Sequence, residues 1–334
     1  MIRLGQIGLN YGLKVQIPAF SNDSRFELIG VCSSNIDNAK KIKSLLNLEI
    51  ATDDPEELFS SVDAVSLALP PRQQAIILPK AIERGLHVFF EKPLGFIPHE
   101  NIKIKNSQAL MVDFEFLEID IWKGLRELIE KNEIGNILHA EILWNVETFA
   151  VSNNLNSWKT DPNLSGGVLN NFASHSLYYI EQFMGEITKA YVKTVPANSS
   201  EEKVAYIYLH FKSGASASLC LSNNTYKGSG HLLEFTGSEG TALLRNNTNS
   251  TLSNFSLDVF KRSGESYRKH SNIPDNKELD ERIPLVESLV RRFGDWIETG
   301  NINKPGLSEA LRVEKLLRAC RESINEKKEV KVGR

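Results

Sequence analysis

The chain has 334 residues, 41% hydrophobic and 24% charged, with 39 basic and 42 acidic side chains and a formal net charge of −3. That length exceeds one ordinary hydrophobic core, so two domains are expected, and the near-neutral balance excludes broad electrostatic attraction to nucleic acid or anionic lipid. No apolar run is long enough to span a bilayer and residues 1–5 enter a strand-like segment without a signal-peptide pattern, so the cytoplasm is the expected location.

Residues 2–8 read as a buried strand and 12–20 as the start of a helix. A second strand covers 26–32, a one-faced helix 37–46, and a short helix opened by acidic residues 53–59. A third apolar strand, 64–69, is stopped by Pro70 and Pro71. Residues 75–84 are helical, Gly85 ends that helix, and 87–90 is another strand. Strands and helices alternating at this spacing predict βαβ units and a parallel sheet. Residues 98–108 show no helical face and 110–116 read as a strand, so a domain boundary is placed after 117, dividing the chain into 1–117 and 118–334. Beyond it, 119–131 form an amphipathic helix and 137–146 a strand. From about 190 to 259 the pattern has period two, with strands at 205–211, 215–222, 231–236 and 241–245, which predicts an antiparallel or mixed sheet. Residues 246–254 are an Asn/Ser/Thr-rich loop, and 284–299 and 308–325 are closing helices. Cys32, Cys220 and Cys320 are far apart without metal-ligand spacing, so each reads as a small buried apolar residue and no metal site is expected.

Gly8-Leu9-Asn10-Tyr11-Gly12 lies between the first strand and the first helix, where a dinucleotide fold needs a tight turn to bring backbone amides to a pyrophosphate. The motif departs from G-x-G-x-x-G: Asn10 stands at the second glycine and the last spacing is one residue short. Asn tolerates left-handed backbone. Taken alone, the turn also fits an ordinary strand–helix connection. Ser33-Ser34-Asn35 follow the second strand, with no acid before Asp37, where an acid would bind a ribose 2′-hydroxyl. This neutral cluster has room for a 2′-phosphate and leans the cofactor expectation to NADP over NAD, with Lys40 or Lys41 reaching back along the helix.

Residues 85–94, GLHVFFEKPL, centre on Glu91-Lys92-Pro93 after an apolar strand, and here the chain resembles the Gfo/Idh/MocA family of oxidoreductases. The likeness continues through 62–65, 69–71, 75–84, 134–137, 166–185, 235–241 and 310–320, essentially the whole chain. It implies a doubly wound Rossmann domain in 1–117, and in 118–334 an α/β domain for substrate binding and oligomerisation. The second domain would carry a large open, mostly antiparallel sheet that pairs subunits into a homodimer or homotetramer. It also implies oxidation or reduction of a hydroxyl or carbonyl on a sugar or related small molecule with NAD or NADP. Gly8, Asn10, Tyr11, Gly12, Ser33, Ser34, Leu69, Pro70, Gln74, Glu91 and Lys92 are then the expected cofactor-binding residues.

Lys92 follows a strand at its carboxyl end, where ligands of open α/β sheets bind, and a cation there can stabilise developing alkoxide charge. Pro93 restricts Lys92 to extended geometry, and the family often has a cis bond before this proline. The stretch 165–175, SGGVLNNFASH, resembles the family's G-G-x-L-x-D-x-G-x-H-x-x-D element, which implies His175 as general acid/base, four residues after Asn171. The family's two aspartates are Asn171 and Tyr178 here, Gln74 occupies a common histidine position, and Leu117 replaces a frequent arginine. An amide cannot act as a base. Trp158-Lys159-Thr160-Asp161 lies where the family places nicotinamide and substrate contacts, so Trp158, Lys159, Asn171 and His175 join Lys92 as expected substrate residues; Lys159 alone also reads as a surface lysine. Glu115, Glu118 and Asp120 are read either as solvated carboxylates or as groups recognising substrate hydroxyls or an amine. Two other functions fit the same residues: a dinucleotide or sugar sensor without turnover, and a cofactor-assisted glycosidase.

Overall fold

The computed structural model describes the chain through residue 333 apart from 96–101, 103, 105–106, 154, 156–157, 160, 162–165, 197–201, 249–251 and 272–279. Most of 98–108, part of 246–254, and Thr160 and Ser165 therefore lie outside the described residues. The chain forms two compact units, Met1–Glu115 with Asn276–Leu311, and Phe116–Asp275 with Arg312–Arg334.

The first unit is a parallel sheet of β1 (Ile2–Ile7), β2 (Phe26–Cys32), β3 (Ile50–Thr52), β4 (Ala64–Leu67), β5 (His87–Phe90) and β6 (Leu110–Val112), in spatial order β3-β2-β1-β4-β5-β6. All five pairings are parallel. Parallel sheets are covered on both faces, and β4 accordingly has every residue buried. One cover packs Ile17, Val31, Ala39 and Ile42; the other is a cluster around Phe20, Phe26, Phe89 and Phe293. Strand order reverses between β1 and β4, and ligands of such sheets bind in the crevice outside the carboxyl ends there.

Several elements differ from the sequence expectation. The three-residue β3 carries too little pattern to stand out, and the helix expected at 53–59 shortens to Pro55–Phe59. Pro71, expected to stop a strand, opens helix Pro71–Glu83, because a proline in the first turn gives up an amide that has no helical partner. The strand expected at 110–116 ends at Val112, and Glu115–Glu118 make a 3₁₀ turn. In place of a single boundary after 117, the first unit is completed by a late segment. Helix Ile283–Thr299 brings Phe293 against Phe26 (ring centroids 5.9 Å, parallel), Phe89 (5.9 Å) and Phe20 (6.2 Å). Leu289 and Val290 of the same helix share this core.

The second unit is a nine-stranded sheet of β7 (Ile137–Asn145), β8 (Ile187–Val195), β9 (Val204–Phe211), β10 (Ser216–Ser222), β11 (Gly230–Gly237), β12 (Gly240–Asn246), β13 (Ser256–Lys261), β14 (Ser266–His270) and β15 (Val330–Lys331), ordered β14-β13-β12-β11-β7-β10-β9-β8-β15. Among the described strands of this sheet, only β7 and β10 pair in parallel. Buried residues alternate along β9, the mark of a sheet covered on one face. On the other face Tyr206 and Tyr208 are exposed, and with Tyr191 and Cys220 they line a groove of about 350 Å³. Cys220 is thus half-exposed rather than a core residue, whereas Cys32 and Cys320 are buried as expected. No described helix is long and apolar enough to cross a membrane.

Candidate functional site

The first unit's site begins where β1 ends. Gly8 has φ +88°, and its amide donates to the Cys32 carbonyl at 3.1 Å. A Cβ there would lie 2.3 Å from the Ala68 carbonyl oxygen, so the ends of β1, β2 and β4 converge on a residue that must be glycine. Asn10 is exposed and Tyr11 half-buried. Gly12–Gln16 is π-wound before the α-helix Ile17–Ser21, and a Cβ on Gly12 would lie 2.4 Å from Gln6 Nε2. Pi-wound turns are rare and concentrate at functional sites. A tight glycine turn between a strand and a helix is the backbone form that pyrophosphate sites use. Leu69 and Pro70 follow β4 at the same edge, half-buried.

Beneath this turn runs a buried polar network that the sequence reading did not contain. Gln6 Nε2 donates to Gln16 Oε1 (3.2 Å), Ser66 Oγ donates to the same oxygen (2.7 Å), and Gln16 Nε2 donates to Glu91 Oε1 (3.0 Å). Gln16 therefore ties β1, β4 and the residue after β5 together.

Glu91-Lys92-Pro93 leaves the carboxyl end of β5 with a cis Lys92–Pro93 bond. Gln74, expected among the cofactor contacts, is fully buried and holds this segment instead. Its Oε1 accepts the Glu91 amide at 3.0 Å, and its Nε2 donates to the carbonyls of Glu91 (2.5 Å) and Pro93 (3.2 Å). One side chain thus grips the backbone on both sides of Lys92. The Glu91 side chain meets Asp113, which follows β6. Burial, then the charges of Glu91 and Glu115, hold the Asp113 carboxyl well above the usual aspartate range, and it hydrogen-bonds Glu91. Asp113 Oδ1 is buried without a hydrogen-bond donor, an environment that favours the protonated carboxyl. Its other oxygen accepts from Tyr11 Oη at 3.2 Å, and the Arg282 guanidinium lies 4.8 Å from the centre of the Tyr11 ring.

At the end of β2, Ser33 Oγ accepts the Asn35 amide (3.3 Å) and Ser34 is exposed. Asn35 Oδ1 caps helix Ile36–Leu46, accepting the amides of Asp37 (3.0 Å) and Asn38 (3.1 Å).

In the second unit, the amides of Gly166 and Gly167 donate to the carbonyls of Asp161 (2.9 Å) and Lys159 (3.2 Å), pinning the Trp158–Lys159 turn to the start of the His175 helix. The Lys159 ammonium lies 5.9 Å from the Trp158 ring centre. Leu169–Ala173 is a second π-wound turn, continuing as helix Ser174–Met184; Asn171 and His175 are both buried. His175 sits edge-on to Phe116 (4.9 Å) and 6.0 Å from Trp144. Trp144 is stacked between Phe172 (4.0 Å) and His231 (4.3 Å). Burial pushes the His231 imidazole down to about 3, so it is neutral, and Nε2 bonds Tyr179 Oη at 2.9 Å, which in turn meets Ser176 Oγ at 3.0 Å. His231 was absent from the candidates because a lone histidine on a strand carries no signal until Tyr179, 52 residues earlier, is brought beside it.

The carboxylates near 115–120 divide. Glu115 and Glu118 are buried and only Asp120 is exposed, so solvation fits Asp120 alone. Glu118 lies 3.7 Å from the Lys123 ammonium. Burial raises the thiols of Cys32 and Cys320 to about 12 and also raises Cys220, away from nucleophilic use. The described residues contain no metal-ligating cluster.

Residues 2–109 match the family model described as "Oxidoreductase family, NAD-binding Rossmann fold", and 126–332 match "Oxidoreductase family, C-terminal alpha/beta domain", the two halves of the Gfo/Idh/MocA models. An uncharacterized oxidoreductase of Synechocystis sp. is 25% identical over 264 residues, 71% of this chain and 70% of that protein. A protein of Haloferax volcanii named D-xylose 1-dehydrogenase (NADP(+)) 2 is 25% identical over 223 residues, 64% of this chain and 66% of its own length. Among solved structures, levoglucosan dehydrogenase in complex with NADH and levoglucosan superposes over 100% of both chains with a TM-score of 0.85 at 18% identity, a likeness of fold.

Proposed function

We propose, on the premise that the chain belongs to the Gfo/Idh/MocA oxidoreductase family, that it transfers hydride between a nicotinamide dinucleotide and a hydroxyl or carbonyl carbon of a sugar or sugar derivative. The observation that carries this reading is Glu91-Lys92-Pro93 at the carboxyl end of β5, gripped by Gln74, on the same sheet edge as the Gly8 turn. The names of the xylose and levoglucosan dehydrogenases support the substrate class.

When bound, the nicotinamide supplies the hydride acceptor or donor. Lys92 holds the reacting oxygen and stabilises negative charge as it develops. His175 exchanges the hydroxyl proton, a task suited to imidazole near neutral pH. Trp158, Lys159 and Asn171 serve the substrate; Gly8, Asn10, Tyr11, Gly12, Ser33, Ser34, Leu69 and Pro70 serve the dinucleotide. The open sheet face, with exposed Tyr206 and Tyr208, pairs two copies of the chain.

Asn171 in place of an aspartate favours a second reading, a sensor that binds dinucleotide or sugar without turnover, because an amide cannot stabilise an imidazolium by charge. Nicotinamide absorbance followed over a panel of sugars separates the two. Turnover of at least one sugar is expected, with Lys92→Ala lowering kcat by roughly 10²–10³-fold while dinucleotide binding persists. Dinucleotide binding without turnover of any sugar supports the sensor, and an unchanged rate in Lys92→Ala removes the assigned chemistry.

A further inference from the structure

We propose that the first unit selects the dinucleotide lacking a 2′-phosphate, NAD(H), and that Asp53, which follows the strand beside β2, is the discriminating side chain; this rests on the dinucleotide reading above. An acid that reads the ribose is ordinarily sought at the end of β2 itself. Here that position is neutral, Ser33-Ser34, and on the sequence alone it leans towards NADP. The sheet changes the electrostatics of the position. β3 pairs in parallel with β2 through Cys32 and Thr52, and the Ser33 amide donates to the Thr52 carbonyl at 3.1 Å. Asp53 is the next residue, so the carboxyl ends of β2 and β3 present Ser33, Ser34 and Asp53 together. Their shared environment registers on Cys32, whose thiol is raised by burial and by the charges of Asp54 and Asp53. The two aspartates differ in availability. Both are exposed, but Asp54 accepts the Glu56 amide at 3.0 Å as the cap of helix Pro55–Phe59, whereas Asp53 caps no helix.

A second, independent observation points the same way. A 2′-phosphate needs donors, and backbone amides at the start of the helix after β2 are natural ones. Two of these amides, on Asp37 and Asn38, already donate to Asn35 Oδ1. Asp37 adds a negative charge in that first turn, the exposed Lys40 and Lys41 lie beyond the first turn of the helix, and Lys43 of the last turn donates its ammonium to the Glu49 carbonyl at 2.7 Å. A phosphate carries close to two negative charges at neutral pH. Placed at this edge it meets Asp53 and Asp37, while a ribose hydroxyl can donate to a carboxylate and accept from a serine.

The test is titration of the full chain with NADH and with NADPH, followed by nicotinamide fluorescence, which reads binding without turnover. NADH is expected to bind at least about tenfold more tightly than NADPH. Asp53→Asn, an exposed position, is expected to narrow that ratio about three- to tenfold, less at high salt. Ser34→Arg gives the phosphate a bidentate partner and is expected to narrow it as well. Equal or tighter binding of NADPH by the unaltered chain, or a ratio unmoved by Asp53→Asn, overturns the proposal and leaves the oxidoreductase reading intact. Binding of neither nucleotide overturns the oxidoreductase reading itself.

Discussion

The edge around Lys92 and the nest around His175 are both buried, yet different forces hold them. At the first, Gln6, Gln16, Ser66, Gln74, Glu91 and Asp113 are linked by hydrogen bonds that span β1, β4, β5 and β6. At the second, Phe116, Trp144, Phe172 and His231 fill the space with rings, and a Ser176–Tyr179–His231 hydrogen-bonded chain runs beside them. Directional bonds fix atoms; ring packing fixes volume. A residue that must present one charged atom benefits from the first kind of support, and a residue that must be kept from water benefits from the second.

The two regions also answer pH with opposite sign. Asp113 holds its proton in the folded chain more tightly than an unfolded aspartate would, so its contribution is present in acid and is lost as pH rises towards its elevated folded value. His231 titrates at about 3 when folded, against an ordinary value of 6.5, so the unfolded chain gains the proton first and stability is lost as pH falls from 6.5 towards 3.

The largest expected effect breaks the nest. Trp144→Ala removes a ring stacked on both faces and should cost about 3–5 kcal/mol in urea unfolding; a loss below about 1 kcal/mol would show that the rings are not its support. Next comes the acid limb. His231→Phe keeps a ring beside Trp144 but cannot titrate, and it should remove about 4 kcal/mol of the difference in stability between pH 6.5 and pH 3. Parallel acid profiles for variant and unaltered chain would refute the buried neutral imidazole. The smallest effect sharpens the contrast at the other region. Gln74→Met preserves volume while deleting the three bonds that flank Lys92, and kcat is expected to fall about ten- to a hundredfold with NADH affinity within about threefold. A drop in thermal stability with kcat unchanged would make Gln74 a purely structural residue.

The sequence makes the parallel sheet readable because β1, β2, β4 and β5 are apolar runs between helix signals, and Glu91-Lys92-Pro93 because it is contiguous. What escapes it lies between distant positions. Gln16 acts through Glu91, 75 residues away, and Tyr11 through Asp113, 102 residues away. The acid beside Ser33 comes from the adjacent strand, so a search along β2 alone finds none. The short β3 and the π-wound turns depend on packing more than on local propensity, and periodicity does not show them.

Helix Ile283–Thr299 has a consequence for how the protein is made. Phe20, Phe26 and Phe89 are synthesised early, but the Phe293 ring that covers them comes some 200 residues after Phe89. At about 5–20 residues per second, a nascent chain spends roughly ten to forty seconds with that aromatic face uncovered on the ribosome. The nucleotide-binding unit, whose strands precede the second sheet in this chain, is therefore among the last parts to close, and a fragment ending at residue 117 would leave that aromatic face uncovered.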